Sequence, residues 1–374
     1  MKYLLPAILL CVVLALWGCS DNNATNPSPD NSSKIQVIKN DIPFPTEKYI
    51  RIPYSLKLWE FEKEGLKLVS IQVIDDVSKK ELIKLEGENL PKIYKSPLSP
   101  TNLFQQDEIK SYYLSIQLPI LLTETKPSKI SHILTLRDTI KNEIIHVEGG
   151  SLTPRFSEIP IVISSPVKGE NWLFINQSTN EYHFYVTFFT EGKLYNAERF
   201  AFDNLQLNPQ MEDYFIGDPA KNESYFNYGD TLYAVADGKV LTITDGRPEN
   251  NGNMQNIKFN NLDEYAGNYL ILDIGGGKKA FYAHCQPNSF LVSQGANVKV
   301  GDPIAILGNS GNSTAPHLHF HIFDGTDILL SYGVPFVLKE YTKVAEWNDK
   351  AVIVPKEVIH NSMMEASAII NFEK

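Results

Sequence analysis

Three histidines recur with period two in the segment TAPHLHFHIFD, where His317, His319 and His321 alternate with Leu318, Phe320 and Ile322. In a strand, alternate side chains share a face, so the pattern predicts three imidazoles on one side and three apolar side chains in a core. They are three of only eight histidines in 374 residues. Neutral imidazoles buried in a row leave hydrogen bonds unmatched unless something binds them, and imidazole is the commonest zinc ligand. The segment therefore predicts a metal or catalytic site. His284 closes the strand-like run AFYAHC and can meet His317 only through a sheet. Asp203 ends the aromatic run ERFAFD, where a buried carboxylate calls for a cation. The loop GNSGNST, directly before the histidine strand, lets backbone approach a peptide substrate closely.

Taken in chain order, RFAFD, GDTLYAVADGKVL, GNYLILDIGGGKKAFYAH and VKVGDPIAILGNSGNSTAPHLHF resemble the lysostaphin/LytM family of zinc endopeptidases, over roughly residues 166–335. The resemblance implies a peptidoglycan hydrolase with one Zn2+ per catalytic domain, Asp203 and His319 as ligands, and His284 and His317 as the catalytic pair. Zinc held by three protein groups keeps a fourth position for water, lowers the pKa of that water and polarises a carbonyl. One imidazole then takes the proton of the water, and the other steadies the oxyanion or protonates the leaving amine. A D-alanyl cross-link is the expected bond, because no glycine-specific wall-binding module is apparent. The alternative from a different class is a catalytically inactive LytM-like lipoprotein that binds peptidoglycan or activates an amidase.

The family's first ligand histidine stands four residues before the aspartate, and here that position holds Arg199, a fixed cation that cannot bind zinc. Two residues are candidates for the third ligand. His183, twenty residues before Asp203, returns beside it if the intervening chain is a strand, a Glu191-Gly192 turn and a strand. His321 shares the face of His319 but sits about 6.5–7 Å further along the strand. We take His183, with His321 as the competitor.

The elements that must position these residues are strands. Abundant Tyr, Phe, Ile and Val, 22 prolines and few long 3.6-period stretches predict a mainly β protein. The length, with 43% hydrophobic residues, is enough for two cores. Residues 34–165 carry short alternating runs such as LKLVSIQVID and KISHILTLRD, which predict a β-sandwich-like N-terminal domain of unassigned role. Glu62, Glu64, Glu86, Glu88 and His132 within it are expected on solvated faces. Residues 166–345 are expected to form the antiparallel LytM-type (duplicated hybrid motif) peptidase domain, and 346–374 a C-terminal extension. Asp237-Gly238, Gly275-Gly276-Gly277 and Gly301-Asp302 each separate two apolar runs and are expected to close hairpins.

A net charge of −10 without a Lys/Arg cluster argues against nucleic acid as a partner. Residues 1–18 have a charged start, an apolar run too short for a comfortable span, and Gly18 before Cys19, so they are expected to be an export signal. Leu16, Trp17, Gly18 and Cys19 resemble a bacterial lipobox, which implies lipidation of Cys19 and a membrane anchor. Residues 19–33 are expected to be a disordered tether. The implied location is the periplasmic face of the outer membrane in a Gram-negative host, otherwise the outer face of the cytoplasmic membrane. Of the remaining cysteines, Cys285 is expected to be a small buried side chain.

Overall fold

The computed structural model describes residues 34–93, 98–99, 102–106, 113–177, 179, 181–190, 193–253, 264–365 and 367–373. The expected signal and tether with Cys19, and the expected turn at Glu191-Gly192, lie outside the described residues. Strands dominate, and the protein is mainly β. Among the described residues no helix is long and apolar enough to cross a membrane.

The N-terminal part is a sandwich of two four-stranded antiparallel sheets. One contains Ile35–Asn40, Phe44–Pro45, Tyr49–Leu58 and Tyr113–Leu121, and the other Leu66–Asp75, Glu81–Glu86, Ile130–Asp138 and Ile144–Leu152. Alternation decides what lies between them. Ile52, Tyr54, Leu56, Leu114 and Leu118 of the first sheet meet Ile71, Val73, Leu134 and Leu136 of the second in one core. His132 follows the same alternation and is fully buried, which corrects its expected place on a solvated face. Its Nδ1 lies 3.0 Å from the Gly150 carbonyl, so that nitrogen carries the proton, and its Nε2 accepts from the Tyr54 hydroxyl at 2.9 Å.

The second part is a twelve-stranded sheet, at whose centre Phe202–Gln206, Leu318–Asp324, Lys278–Cys285, Asn268–Asp273 and Gly238–Thr244 lie side by side, all antiparallel. Both faces of the middle strands are covered. Leu318, Phe320 and Ile322 join the main core with Phe174, Phe202 and Phe336, while Phe281, Ala283 and Phe323 form a smaller cluster. The sheet takes in chain on either side of residues 166–345. Ile161–Ile163 pairs in parallel with Phe336–Trp347, and Ala368–Phe372 lies between Phe336–Trp347 and Gly169–Ile175. The residues expected as an extension are thus strands of the sheet itself.

Two of the three expected hairpins are corrected. Gly275-Gly276-Gly277, all with positive φ, joins the paired strands Asn268–Asp273 and Lys278–Cys285. By contrast, Thr231–Tyr233 pairs with Pro303–Ile306 in a separate two-stranded sheet, while Gly238–Thr244 pairs with Asn297–Val298. The turns at Asp237-Gly238 and Gly301-Asp302 therefore pass the chain between two sheets. They sit together, with Val300 N–H donating to Asp237 Oδ1 at 2.9 Å. Local glycine chemistry marks a turn but does not say which strands it joins.

Candidate metal centre

Strand register places the first two groups. Asp203 stands directly opposite His319, and Ala283 flanks His319 on the other side. His319 Nδ1 lies 2.9 Å from Asp203 Oδ1. The third group arrives by a route other than the expected hairpin. His183 is on a single helical turn, Glu181–Phe184, followed by short strands Phe188–Thr190 and Lys193–Tyr195 and a 3-10 turn, Ala197–Phe200. His183 and Phe184 are both buried while Tyr182 is half exposed, a pattern that period two does not produce. From this turn His183 Nε2 reaches Asp203 Oδ2 at 3.1 Å.

His183, Asp203 and His319 each offer a ligand atom within 4.8 Å of one another, a possible His/Asp metal site. Two imidazoles and one carboxylate suit zinc, which takes such mixed sets and leaves a position open. His321 does not join them. Its Nδ1 lies 3.0 Å from His319 Nε2, the ring nitrogen opposite the one that faces Asp203. Among the described residues His183, and not His321, is thus the histidine grouped with Asp203 and His319.

Arg199 points elsewhere. It is fully buried, with Nη1 donating to Ser55 Oγ at 2.6 Å and Nη2 to the Tyr54 carbonyl at 2.8 Å. Its Nε is 3.2 Å from Asp41 Oδ2, an ion pair without hydrogen-bond alignment, and the guanidinium lies over the Phe184 ring at 4.3 Å. The residue in the place of the missing histidine thus fastens the N-terminal sandwich to the segment that carries His183.

His284 and His317 face each other beside this group, their ring centres 4.7 Å apart. His284 has φ of 65° and sits where the strand carries one extra residue opposite Asn268–Leu270, a bulge that re-aims its ring. Its Nδ1 is 2.8 Å from the Ser310 carbonyl, and His317 Nδ1 is 2.8 Å from the Ala315 carbonyl. A carbonyl only accepts, so in each neutral ring Nδ1 carries the proton and Nε2 keeps its lone pair. The loop before the histidine strand sets this contact. Gly311 and Gly267, both at positive φ, touch so closely that a Cβ on Gly311 would lie 2.3 Å from Gly267 N.

Electrostatics separates the roles. Burial pushes the Asp203 carboxyl up, but the charge of His183, that of His317 once it is protonated at low pH, and hydrogen bonds from His183 and His319 outweigh it and hold the group well below the usual range. Burial lowers His183, yet Asp203 and Glu198 overcome it and raise the ring. His284 is driven well below its ordinary value by burial and by His317 and His319, and burial lowers His317 and His321 too. His284 and His317 are therefore neutral bases near pH 7 beside an ionised carboxylate.

His183, Asp203, His284, His317 and His319 line a cavity of about 300 Å³ with Asn312 of the expected loop and with residues that sequence reasoning missed: Asn176, Tyr182, Glu198 and Tyr265. Asn176 Nδ2 donates to Asp203 Oδ2 at 2.8 Å, orienting the carboxylate. Glu198 had one sequence signal, an acidic residue inside the aromatic run that ends at Asp203.

Fold and donor set describe a β-sheet protein in which two histidines and an aspartate could hold a metal ion beside a second pair of basic imidazoles. Residues 224–329 match the model of Peptidase family M23. That segment includes His284, His317 and His319, while His183 and Asp203 precede it. The peptidoglycan DD-endopeptidase ShyB of Vibrio cholerae is 33% identical over 94 residues, 25% of this chain and 18% of ShyB. The peptidoglycan DD-endopeptidase ShyA of the same organism is 38% identical over 94 residues, 25% of this chain and 17% of ShyA. The chain thus spans less than a fifth of the curated relatives it matches. The catalytic domain of the antimicrobial peptidase lysostaphin from Staphylococcus simulans is 23% identical with a TM-score of 0.22, covering 32% of this chain and 82% of that domain.

Proposed function

We propose that the protein is a zinc-dependent endopeptidase that hydrolyses peptide cross-links of peptidoglycan, exported and held at a membrane by a lipid on Cys19. The observation that carries the reading is the convergence of His183, Asp203 and His319 beside two imidazoles whose Nε2 lone pairs are free. A zinc ion held by the three ligands would supply a Lewis acid that polarises the scissile carbonyl and acidifies water. His284 and His317 divide the proton work. One Nε2 takes a proton from the attacking water, and that same proton is delivered through the pair to the leaving amine, so that both rings end neutral as they began. Their Nδ1–H bonds to the Ser310 and Ala315 carbonyls keep both rings in the tautomer that this needs. Two relatives named as DD-endopeptidases support a D-alanyl cross-link as the bond cut.

Purified protein incubated with sacculi should release muropeptides, and a chelator should stop the release until zinc is returned. Intact cross-links after incubation with added zinc would remove the proposal. The anchor is checked separately: Cys19→Ser should abolish lipid labelling and free the protein from membranes, and unchanged membrane retention would contradict it.

A further inference from the structure

We infer that Glu198 is the positioning residue of the metal centre: its carboxylate accepts the Nδ1–H of His183 and so presents Nε2 of that ring to the ion. The inference rests on the zinc reading above. His183 Nε2 faces Asp203, and its Nδ1 faces Glu198 Oε2 at 3.6 Å, with both side chains almost wholly buried. Neither Nδ1 nor Oε2 has a hydrogen-bond partner. An imidazole that binds a metal through one nitrogen carries its hydrogen on the other, and that N–H, buried here, requires an acceptor. A closure of about 0.8 Å brings the two atoms to charge-assisted hydrogen-bond distance. Ligand imidazoles keep such outer carboxylates because these fix the ring and raise its basicity.

The fold keeps Glu198 in place. Its turn is closed by Arg199 N–H to the Asn196 carbonyl at 3.0 Å and by Ala201 N–H to the Glu198 carbonyl at 2.8 Å. Gly333 packs flat against this turn, where a Cβ would meet the Asn196 and Ala197 carbonyls at 2.9 Å. The next side chain, Arg199, is held by Ser55, Tyr54 and Asp41 of the sandwich. Successive residues of the turn thus face opposite ways, Glu198 into the metal site and Arg199 out of it.

The test is the zinc dissociation constant, measured by chelator competition, for Glu198→Leu and Glu198→Gln, with the Tm of each metal-free protein as the check on folding. Glu198→Leu, which removes the acceptor, should weaken zinc about 10–100-fold. Glu198→Gln keeps a carbonyl oxygen and should recover most of that loss. Zinc binding by Glu198→Leu within about threefold of the parent overturns the inference alone. A parent that takes up no zinc overturns the metal reading with it. Should Glu198→Leu not fold, the His183 Nδ1 proton of the zinc-loaded parent decides by NMR. It should resonate far downfield and move upfield in Glu198→Gln, and an unchanged position in the two proteins overturns the inference.

Discussion

Arg199→His would place a histidine where the lysostaphin/LytM pattern has its first ligand, and the structure says that it would harm the protein without improving the metal site. Residue 199 leaves the turn Ala197–Phe200 toward Asp41, Ser55 and the Tyr54 carbonyl, all buried. A histidine there is too short to keep both hydrogen bonds and the ion pair, and it leaves Asp41 with an ion pair to Lys39 at 3.5 Å and the more distant charge of Arg155. Breaking a buried pair by removing one partner costs about 3–5 kcal/mol. Because Lys39 still offsets part of the Asp41 charge, the lower end applies, about 3 kcal/mol, with lost packing on Phe184 included. At about 2–4 °C per kcal/mol for domains of this size, calorimetry of the metal-free variant should show a Tm lower by about 6–12 °C. Zinc affinity should not rise, because the new imidazole faces the sandwich. Tighter zinc binding with an unchanged Tm would refute the reasoning, since it would mean that residue 199 turns to the metal.

Three further outcomes follow from the same geometry. His183→Ala should lose zinc about as completely as Asp203→Ala, while His321→Ala should keep it; metal analysis of the purified variants decides. His284→Ala should retain zinc yet lose about 10²–10⁴-fold in kcat on muropeptide substrate, the usual worth of a proton-transferring side chain, and a loss of zinc instead would make His284 a ligand. His132 is lowered from 6.5 to about 4 by burial, against its hydrogen bonds to the backbone at Gly149 and Gly150. Its unfolded form binds protons first as pH falls, so this contribution is complete above about pH 6.5 and is lost as pH falls toward 4. The slope is about 1.4 kcal/mol per pH unit, or about 3 kcal/mol in all. Urea titrations should show that slope flattened in His132→Gln, and an identical slope in both proteins would rule His132 out.

How much of this was legible beforehand depends on the range of the contacts involved. The period-two histidines and the buried alternate residues between them were local, and the strand Leu318–Asp324 follows the pattern. Asp203 was legible as a carboxylate ending an aromatic run, because burial of such a group calls for a cation. What was hidden depends on pairing between distant segments. Ala368–Phe372 reads as an apolar tail, and only the sheet shows it wedged between Gly169–Ile175 and Phe336–Trp347. His132 reads as one polar residue in a short strand, and its burial depends on Tyr54 and Gly150 arriving from two other strands. The aromatic residues of EYHFYV favour a strand by local preference, whereas the structure has a helical turn at His183. There the turn packs Phe184 under Arg199 and against Phe200, a tertiary gain that overrides local preference.

Arg199 and His183 are best understood together. A ligand histidine four residues before Asp203 would have to leave the turn Ala197–Phe200 on the side of the carboxylate, but that side is taken by Glu198. Consecutive residues of the turn cannot both face the site, so a carboxylate at 198 and a metal ligand at 199 exclude one another on this backbone. His183 comes instead from a separate turn whose Phe184 rests on the Arg199 guanidinium, and that guanidinium is fixed by the sandwich. Asp41 and Ser55, neither of which lines the cavity, thereby touch, through Arg199, both the turn of His183 and that of Glu198. The N-terminal sandwich is accordingly packed against the segments that present these two side chains to the cavity.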